Sequence, residues 1–160
     1  MKILRDNEIT FSPAITRSKL FQWESLDLDD LNRIVRIGCL HDCLHKAPHA
    51  QYRALAMDDD GKKVLGVINW MIDKKEASVQ GLATRYGEER KGIASHLVSL
   101  ACKHMVDNSV TSFSLNCLED VACFYEKIGM KKTFAIAGVV YFVGDASVIE
   151  AISNLVPTML

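Results

Sequence analysis

At 160 residues, 49% hydrophobic and 24% charged, the chain is long enough for a sizeable core, and one domain over residues 1–160 is expected. A formal net charge of -1 offers no global attraction to nucleic acid or to an anionic membrane, so neither is an expected partner. The N-terminus turns polar too early for a secretory signal, and no apolar run is long enough to span a bilayer.

In residues 1–24, Ile3, Ile9, Phe11 and Ile15 stand among polar neighbours, which predicts a short strand and a loop at Ser12-Pro13, with Phe21 and Trp23 as anchors on the core. Ser25 or Asp27 reads as a helix N-cap, and Leu28, Leu31, Ile34, Val35 and Cys39 recur at helical spacing. The helical pattern breaks before Pro48. Tyr52, Ala54 and Ala56 alternate with polar residues as in a strand, and Asp58-Asp59-Asp60-Gly61 is a hairpin turn signal. Val64 to Ile72 is a strongly apolar strand, Asp73 to Glu76 a turn, and Ala77 to Thr84 the next strand, which together predict an antiparallel meander.

A helix is predicted from Gly92, with Ile93, Leu97, Leu100, Ala101 and Met105 on one side, ending at Asp107-Asn108-Ser109. Val110 to Cys117 follows as a strand, and Glu119 to Ile128 as a helix closed by Gly129. Phe134 to Val143 is one bent strand or a hairpin, with Gly138 at the turn or bulge. Ser147 to Leu155 reads as a terminal helix. The apolar residues Val148, Ile149, Ile152, Leu155 and Val156, with the strand Val139–Val143, are a candidate homodimer surface.

The five cysteines are odd in number and scattered. Cys39 and Cys102 fall in helix-like runs and Cys117 in a strand-like run, so most are expected as buried free thiols, which favours a reducing, cytoplasmic setting. In Cys39-Leu40-His41-Asp42-Cys43-Leu44-His45 the two cysteines share one helix face and the two histidines another, so no face gathers a zinc site, and no metal is expected. Cys117 and Cys123 have no histidine nearby to make an acyl-accepting thiolate. Trp70 and Met71 fit a packed strand.

A helix that opens directly after a charged turn, as at Gly92-Ile93-Ala94, presents backbone N–H groups and a partial positive charge that suit a phosphate. Gly92 and the small Ala94 let a pyrophosphate approach the backbone closely, and Arg90 and Lys91 add attraction. Alone, this pattern equally describes an ordinary helix start.

Two stretches in order carry a resemblance. The run Leu82-Ala83-Thr84-Arg85-Tyr86-Gly87-Glu88-Glu89-Arg90-Lys91-Gly92-Ile93-Ala94 resembles, without a gap, the strand, pyrophosphate loop and helix start of the GNAT family of N-acetyltransferases, often written L-A-V-x-P-x-Y-R-G-K-G-I-G. Leu115-Asn116-Cys117-Leu118 through Phe124-Tyr125-Glu126-Lys127-Ile128-Gly129-Met130 is similar to the family's later strand and helix, ending in F-Y-x-K-x-G-F. The resemblance implies an α+β fold, a mixed central sheet flanked by helices, that transfers an acetyl group from acetyl-CoA to a primary amine by direct attack in a ternary complex. Carried over by position, it implies cofactor contacts from Leu82, Ala83, Thr84, Glu89, Arg90, Lys91, Gly92, Ile93, Ala94, Ser95, Asn116 and Phe124, and Tyr125 as the acid that protonates the departing thiolate.

The chain departs from the pattern at four places. Tyr86 stands at the proline position, Glu89 where Gln or Arg is usual, and Arg90 where Gly is usual. A carboxylate beside a pyrophosphate is repulsive, so Glu89 is expected to face solvent. Gln80 stands where relatives carry a carboxylate, and an amide cannot act as a base. Glu76, one of His41, His45 and His49, or a water wire remains to accept the amine's proton. These departures keep an alternative open, a GNAT-like module that binds CoA or a partner and transfers nothing.

Overall fold

The computed structural model describes residues 2–5, 39–40, 42–43, 51–60 and 63–155. The predicted helix around Leu28–Val35, the anchors Phe21 and Trp23, the histidines His41, His45 and His49, and Val156 lie outside the described residues. Among the described residues, seven strands form one sheet: β1 (Lys2–Arg5), β2 (Tyr52–Met57), β3 (Val64–Asp73), β4 (Glu76–Thr84), β5 (Ser112–Leu118), β6 (Lys131–Ile136) and β7 (Val139–Asp145). Their order is β1-β2-β3-β4-β5-β7-β6, and every neighbouring pair is antiparallel except β4 with β5.

The predicted meander is β2-β3-β4. Its second turn is tight: Asp73 pairs with Glu76, and Lys74 takes a positive φ of 55° between them. Phe134–Val143 resolves as a hairpin, not one bent strand. Ala137 and Gly138, at φ 50° and 76°, supply the two left-handed residues that a type I′ turn needs to match the strand twist.

Three helices complete the described structure: α1 (Ile93–Asp107), α2 (Ala122–Lys127) and α3 (Ala146–Ser153). The predicted single helix Glu119–Ile128 is corrected to a 3-10 turn, Glu119–Val121, followed by α2. Val121, at φ -108° and ψ 0°, leaves the helical region and separates the two pieces. Gly129 does close α2. At φ 94° it turns the chain so that its N–H donates to Glu126 O and that of Met130 to Tyr125 O, which satisfies two otherwise orphaned carbonyls. Asp145 caps α3 by accepting from Val148 N at 3.0 Å, and its hydrogen bonds to Ser147 and Val148 hold its carboxyl below the ordinary range.

The apolar stripe of α1 is buried as its spacing predicts, with Ile93, Leu97, Ala101 and Met105 at most 4% exposed. They pack over β2, β3 and β4, and α3 lies against α1. Of the candidate dimer surface, Ile149, Ile152, Val140 and Phe142 are buried in this core, so their apolar area is not available to a partner, whereas Val143 and Leu155 remain 39% and 40% exposed. A second, smaller core sits on the other face of the sheet, where Leu40 and Cys43 cover Leu55, Met57, Val64, Val67 and Ala83.

Gly66 lets α1 approach the sheet. A Cβ there would meet Ile93 Cγ2 at 2.7 Å, Leu97 Cδ1 at 3.1 Å and Ala83 O at 3.2 Å. Gly66→Ala is predicted to destabilise the protein by about 1–3 kcal/mol by forcing the first turn of α1 away from β3, read from urea denaturation. An unchanged midpoint would contradict that packing.

Candidate active site

The site begins where the sheet comes apart. β4 and β5 pair in parallel only through Glu76↔Ser112, Ala77↔Phe113 and Ser78↔Ser114. Beyond Ser78 and Ser114 no pairing continues, although β4 runs on to Thr84 and β5 to Leu118. The two strands diverge, and backbone groups on the facing edges lack the ladder that would otherwise satisfy them.

A bulge marks the branch point. Trp70 of β3 pairs with Val79 and Asn69 with Gly81, so Gln80 is an extra residue in β4. Such an insertion bends its strand and increases the local twist, which carries β4 away from β5. Buried polar groups pin the strand across from it. Arg53 Nε donates to Asn69 Oδ1 at 3.0 Å, and Asn69 Nδ2 donates to Cys43 O. Asn69 is 0% exposed and Arg53 3%, so these bonds form away from water, where a lost partner costs about 1–3 kcal/mol. At Gly81 a Cβ would meet Cys43 Sγ at 2.9 Å, so the glycine admits that side chain against the strand.

At the open end of β4, Arg85 is 2% exposed and ties the chain back to β3. Its N–H donates to Leu65 O at 2.8 Å and its Nη1 to Val64 O at 3.4 Å. The loop then turns twice before α1. Arg90 and Gly92 take positive φ of 63° and 76°, and Gly92 is the N-cap. Arg90, at a position where glycine is the low-cost residue, stiffens this loop. The first helical hydrogen bond is His96 N to Gly92 O, so the N–H groups of Ile93, Ala94 and Ser95 face out of the helix end. Arg90 and Lys91 are exposed, and Lys91 Nζ lies 2.7 Å from Glu88 Oε2. Glu89 is half-buried, and its Oε2 accepts from Gly87 N at 2.7 Å in an exposed hydrogen bond, so the carboxylate is engaged with the loop's own backbone.

Tyr125 lies on α2, 6% exposed, on the same face of the sheet as α1. It meets Phe124 edge-on at 5.0 Å and Phe142 at 5.6 Å. Burial, with the neighbouring Cys117 and Cys43 thiols adding, pushes its phenol well above the ordinary range, so the group is a weaker acid than a free phenol and stays a hydroxyl that can donate a hydrogen bond. Burial and then Asp120 raise the Cys117 thiol, which favours the thiol over the nucleophilic thiolate. Burial and then Lys103 lower His96.

On the opposite face, the strands below the branch point form a groove of about 420 Å³. Ser78 and Gln80 of β4 and Ser114 and Asn116 of β5 wall one side, and Thr133, Phe134, Tyr141 and Val143 of the hairpin form the other. Gln80 Nε2 donates to Ser78 Oγ at 2.7 Å, which engages the amide. Phe134 and Tyr141 stack, with centroids 4.2 Å apart and planes at 16°.

The structure thus brings the sequence-predicted residues into three groups. Leu82, Ala83 and Thr84 line the β4 side of the split, paired with β3 through Ile68, Val67 and Gly66. Arg90, Lys91, Gly92, Ile93, Ala94 and Ser95 form the loop and helix end beyond it, with Glu89 hydrogen-bonded to Gly87 N. Tyr125 and Phe124 stand on α2, while Asn116 opens onto the groove instead, paired across β7 with Tyr141. Sequence reading missed the Arg53–Asn69 pair and the Phe134–Tyr141 stack. A polar Asn69 inside the apolar run Val64–Ile72 was the available signal for the first.

Comparison with known proteins agrees with this geometry. The model of the acetyltransferase (GNAT) family matches residues 13–130, and the chain belongs to that family. A GNAT acetyltransferase of Desulfovibrio desulfuricans shares the fold at TM-score 0.60 and 13% identity, over 91% of this chain and 98% of its own. One from Staphylococcus aureus Mu50 does so at 0.59 and 10%, with the same coverage. A GNAT family N-acetyltransferase of Escherichia coli, crystallised in complex with CoA, matches at 0.54 and 16%, over 73% of this chain and 72% of its own. Comparison with curated protein sequences finds no match.

The Tyr125 phenol predicts a pH effect on stability. A tyrosine in the unfolded chain loses its proton near about pH 10, and the folded value lies above that. This contribution is therefore fully present below about pH 10 and is lost as pH rises from there through the folded value. Urea denaturation on the alkaline side is predicted to fall more steeply for the native sequence than for Tyr125→Phe; equal slopes would contradict the burial.

Proposed function

We propose that the chain is an acetyl-CoA-dependent N-acetyltransferase acting on a primary amine by direct attack in a ternary complex, within one domain over residues 1–160. The observation that carries this reading is the separation of β4 from β5 beyond Ser78 and Ser114, with a helix N-terminus at the open end and a groove on the far face. Membership of the GNAT acetyltransferase family supports the same chemistry.

The split fits an extended thioester. Its β4 edge carries the backbone of Leu82 to Thr84, suited to amide-rich pantetheine, and the small Ala94 and Gly92 leave the end of α1 open to a pyrophosphate. The exposed Lys91 and Arg90 add positive charge there. When bound, acetyl-CoA supplies an electrophilic acyl carbon and a thiolate leaving group. Three demands then fall on the protein: the carbonyl must be polarised, the amine must be neutral and the departing sulfur must be protonated. Backbone N–H groups at the unpaired β4 edge suit the first. Tyr125, buried and protonated, suits the third. As the new C–N bond forms and the C–S bond breaks, its hydroxyl gives a proton or hydrogen bond to the sulfur.

The second demand has no carboxylate at the branch point. Gln80 lacks a basic site and its amide is engaged with Ser78. Glu76 is exposed two residues before Ser78, on the same face of β4, and is the described residue best placed to receive the amine's proton, directly or through water. Against the expectation of mostly buried thiols, Cys43 and Cys102 are buried, Cys117 is half-buried and Cys39 and Cys123 are exposed; all five are thiols, not disulfides, which suits a reducing compartment, and we assign the protein to the cytoplasm on that basis. Among the described residues no helix is long and apolar enough to cross a membrane.

Thiol release from acetyl-CoA over a panel of amines tests the reading. Turnover is predicted with at least one amine class, and Tyr125→Phe is predicted to lower kcat by about 10²-fold while leaving acetyl-CoA affinity unchanged. Acetyl-CoA binding without turnover on any amine would instead identify a CoA-binding module, and no binding would overturn both readings.

A further inference from the structure

The groove on the far face of the branch point has a defined chemical character. Strand register arranges its floor in rows across β5, β7 and β6. Asn116, Tyr141 and Phe134 form the central row, flanked by Leu118, Val139 and Ile136 on one side and by Ser114, Val143 and Lys131 on the other. Cross-strand partners present their side chains to the same face, so these rows form one surface. Its apolar members stand out from the rest of the protein. Leu118, Phe134 and Ile136 are 53%, 54% and 62% exposed; on β5 the alternate residues Phe113 and Leu115 are buried in the core, while β6 is exposed along its whole length.

None of the described residues lining the groove carries a charge. The one charged side chain in the three rows is Lys131, a cation at the outer corner. Inside the groove a polycationic acceptor would find no carboxylate to repay its desolvation; the exposed Glu76, two residues before Ser78, and Lys131 stand beyond its lining. The Phe134–Tyr141 stack offers a flat aromatic wall whose Phe134 ring is more than half exposed, with neutral hydrogen-bonding groups from Ser78, Gln80, Ser114 and Asn116 at the end nearest the split.

We propose that this groove selects the acceptor and that the acceptor is a monoamine joined by a short chain to a flat apolar body, such as an aromatic ring. The inference rests on the proposed acetyl transfer. The ring lies against Phe134 and Tyr141, and its amine reaches past Asn116 and Gln80 toward the split. Phe134 is the specificity-determining residue of this arrangement. Its exposure means that its removal leaves no hole in the core.

The test compares 2-phenylethylamine with spermidine and with a lysine peptide, following CoA release, and measures acetyl-CoA binding separately by calorimetry. We expect kcat/KM for 2-phenylethylamine to exceed that for either cationic acceptor by at least about tenfold. Phe134→Ala should raise KM for the aryl amine by about tenfold, with kcat and acetyl-CoA affinity little changed. Phe134→Glu should lose the aryl amine and gain activity on spermidine. Preference for spermidine or the peptide in the native protein overturns the inference while leaving acetyl transfer intact, as does equal loss on all acceptors in Phe134→Ala. A change of solution mass in Phe134→Ala, showing a second copy on this face, also overturns it. If acetyl-CoA fails to bind, or binds without transfer to any amine, the proposed function falls and this inference with it.

Discussion

The constraint on which the rest of this structure depends is the interruption of one strand pair. In an unbroken sheet every inner strand has both edges satisfied, and a small molecule cannot pass through it. Here β4 and β5 share three residue pairs and then part. The separation has a local cause, the extra residue Gln80, and local supports: the Arg53–Asn69–Cys43 hydrogen bonds opposite, the Cys43 side chain against Gly81, and Arg85 tying the end of β4 to β3. Each of these costs something elsewhere, in buried polar groups or in a residue without a side chain. A fold selected for stability alone has little use for such features, which makes their concentration around one gap informative.

The gap also organises the two faces. On one, α1 begins beyond the open end of β4, and Gly66 allows its first turn to sit against the strand. Tyr125 stands on this face, in a setting that keeps its phenol protonated. On the other face lies the groove with its aromatic stack. A donor that enters from the helix end and an acceptor that enters from the groove would meet at the branch point. The layout suits a direct transfer between two bound substrates and requires no covalent stop on the protein, in keeping with a Cys117 thiol held in its protonated form.

Much of this was legible in the sequence. The stripe Ile93–Met105, the glycine at 129 and the alternation in Tyr52–Met57 each follow a rule that acts over a few residues, and each element appeared where the rule put it. The strand end and helix start at Leu82–Ala94 were readable because a charged turn follows the apolar strand and Gly92 opens an apolar helical stripe. The split itself was not readable, because it is a missing pairing between strands far apart in the chain. Nor was the groove's aromatic wall: within the apolar run Phe134–Val143 a buried Phe142 and an exposed Phe134 look alike, and only the hairpin register separates them. The Glu89 contact with Gly87 N was not readable either, because it depends on the turn that brings this backbone N–H within reach.

The central claim is that the space between β4 and β5 holds the acyl donor. A crystal structure of the protein with CoA tests it most directly. The account predicts the thiol arm between the backbone of Leu82–Thr84 and the β5 strand, its sulfur near Tyr125, and the pyrophosphate against the first turn of α1 at Ile93–Ser95. CoA bound elsewhere, or β4 and β5 paired along their full lengths in the complex, would contradict it.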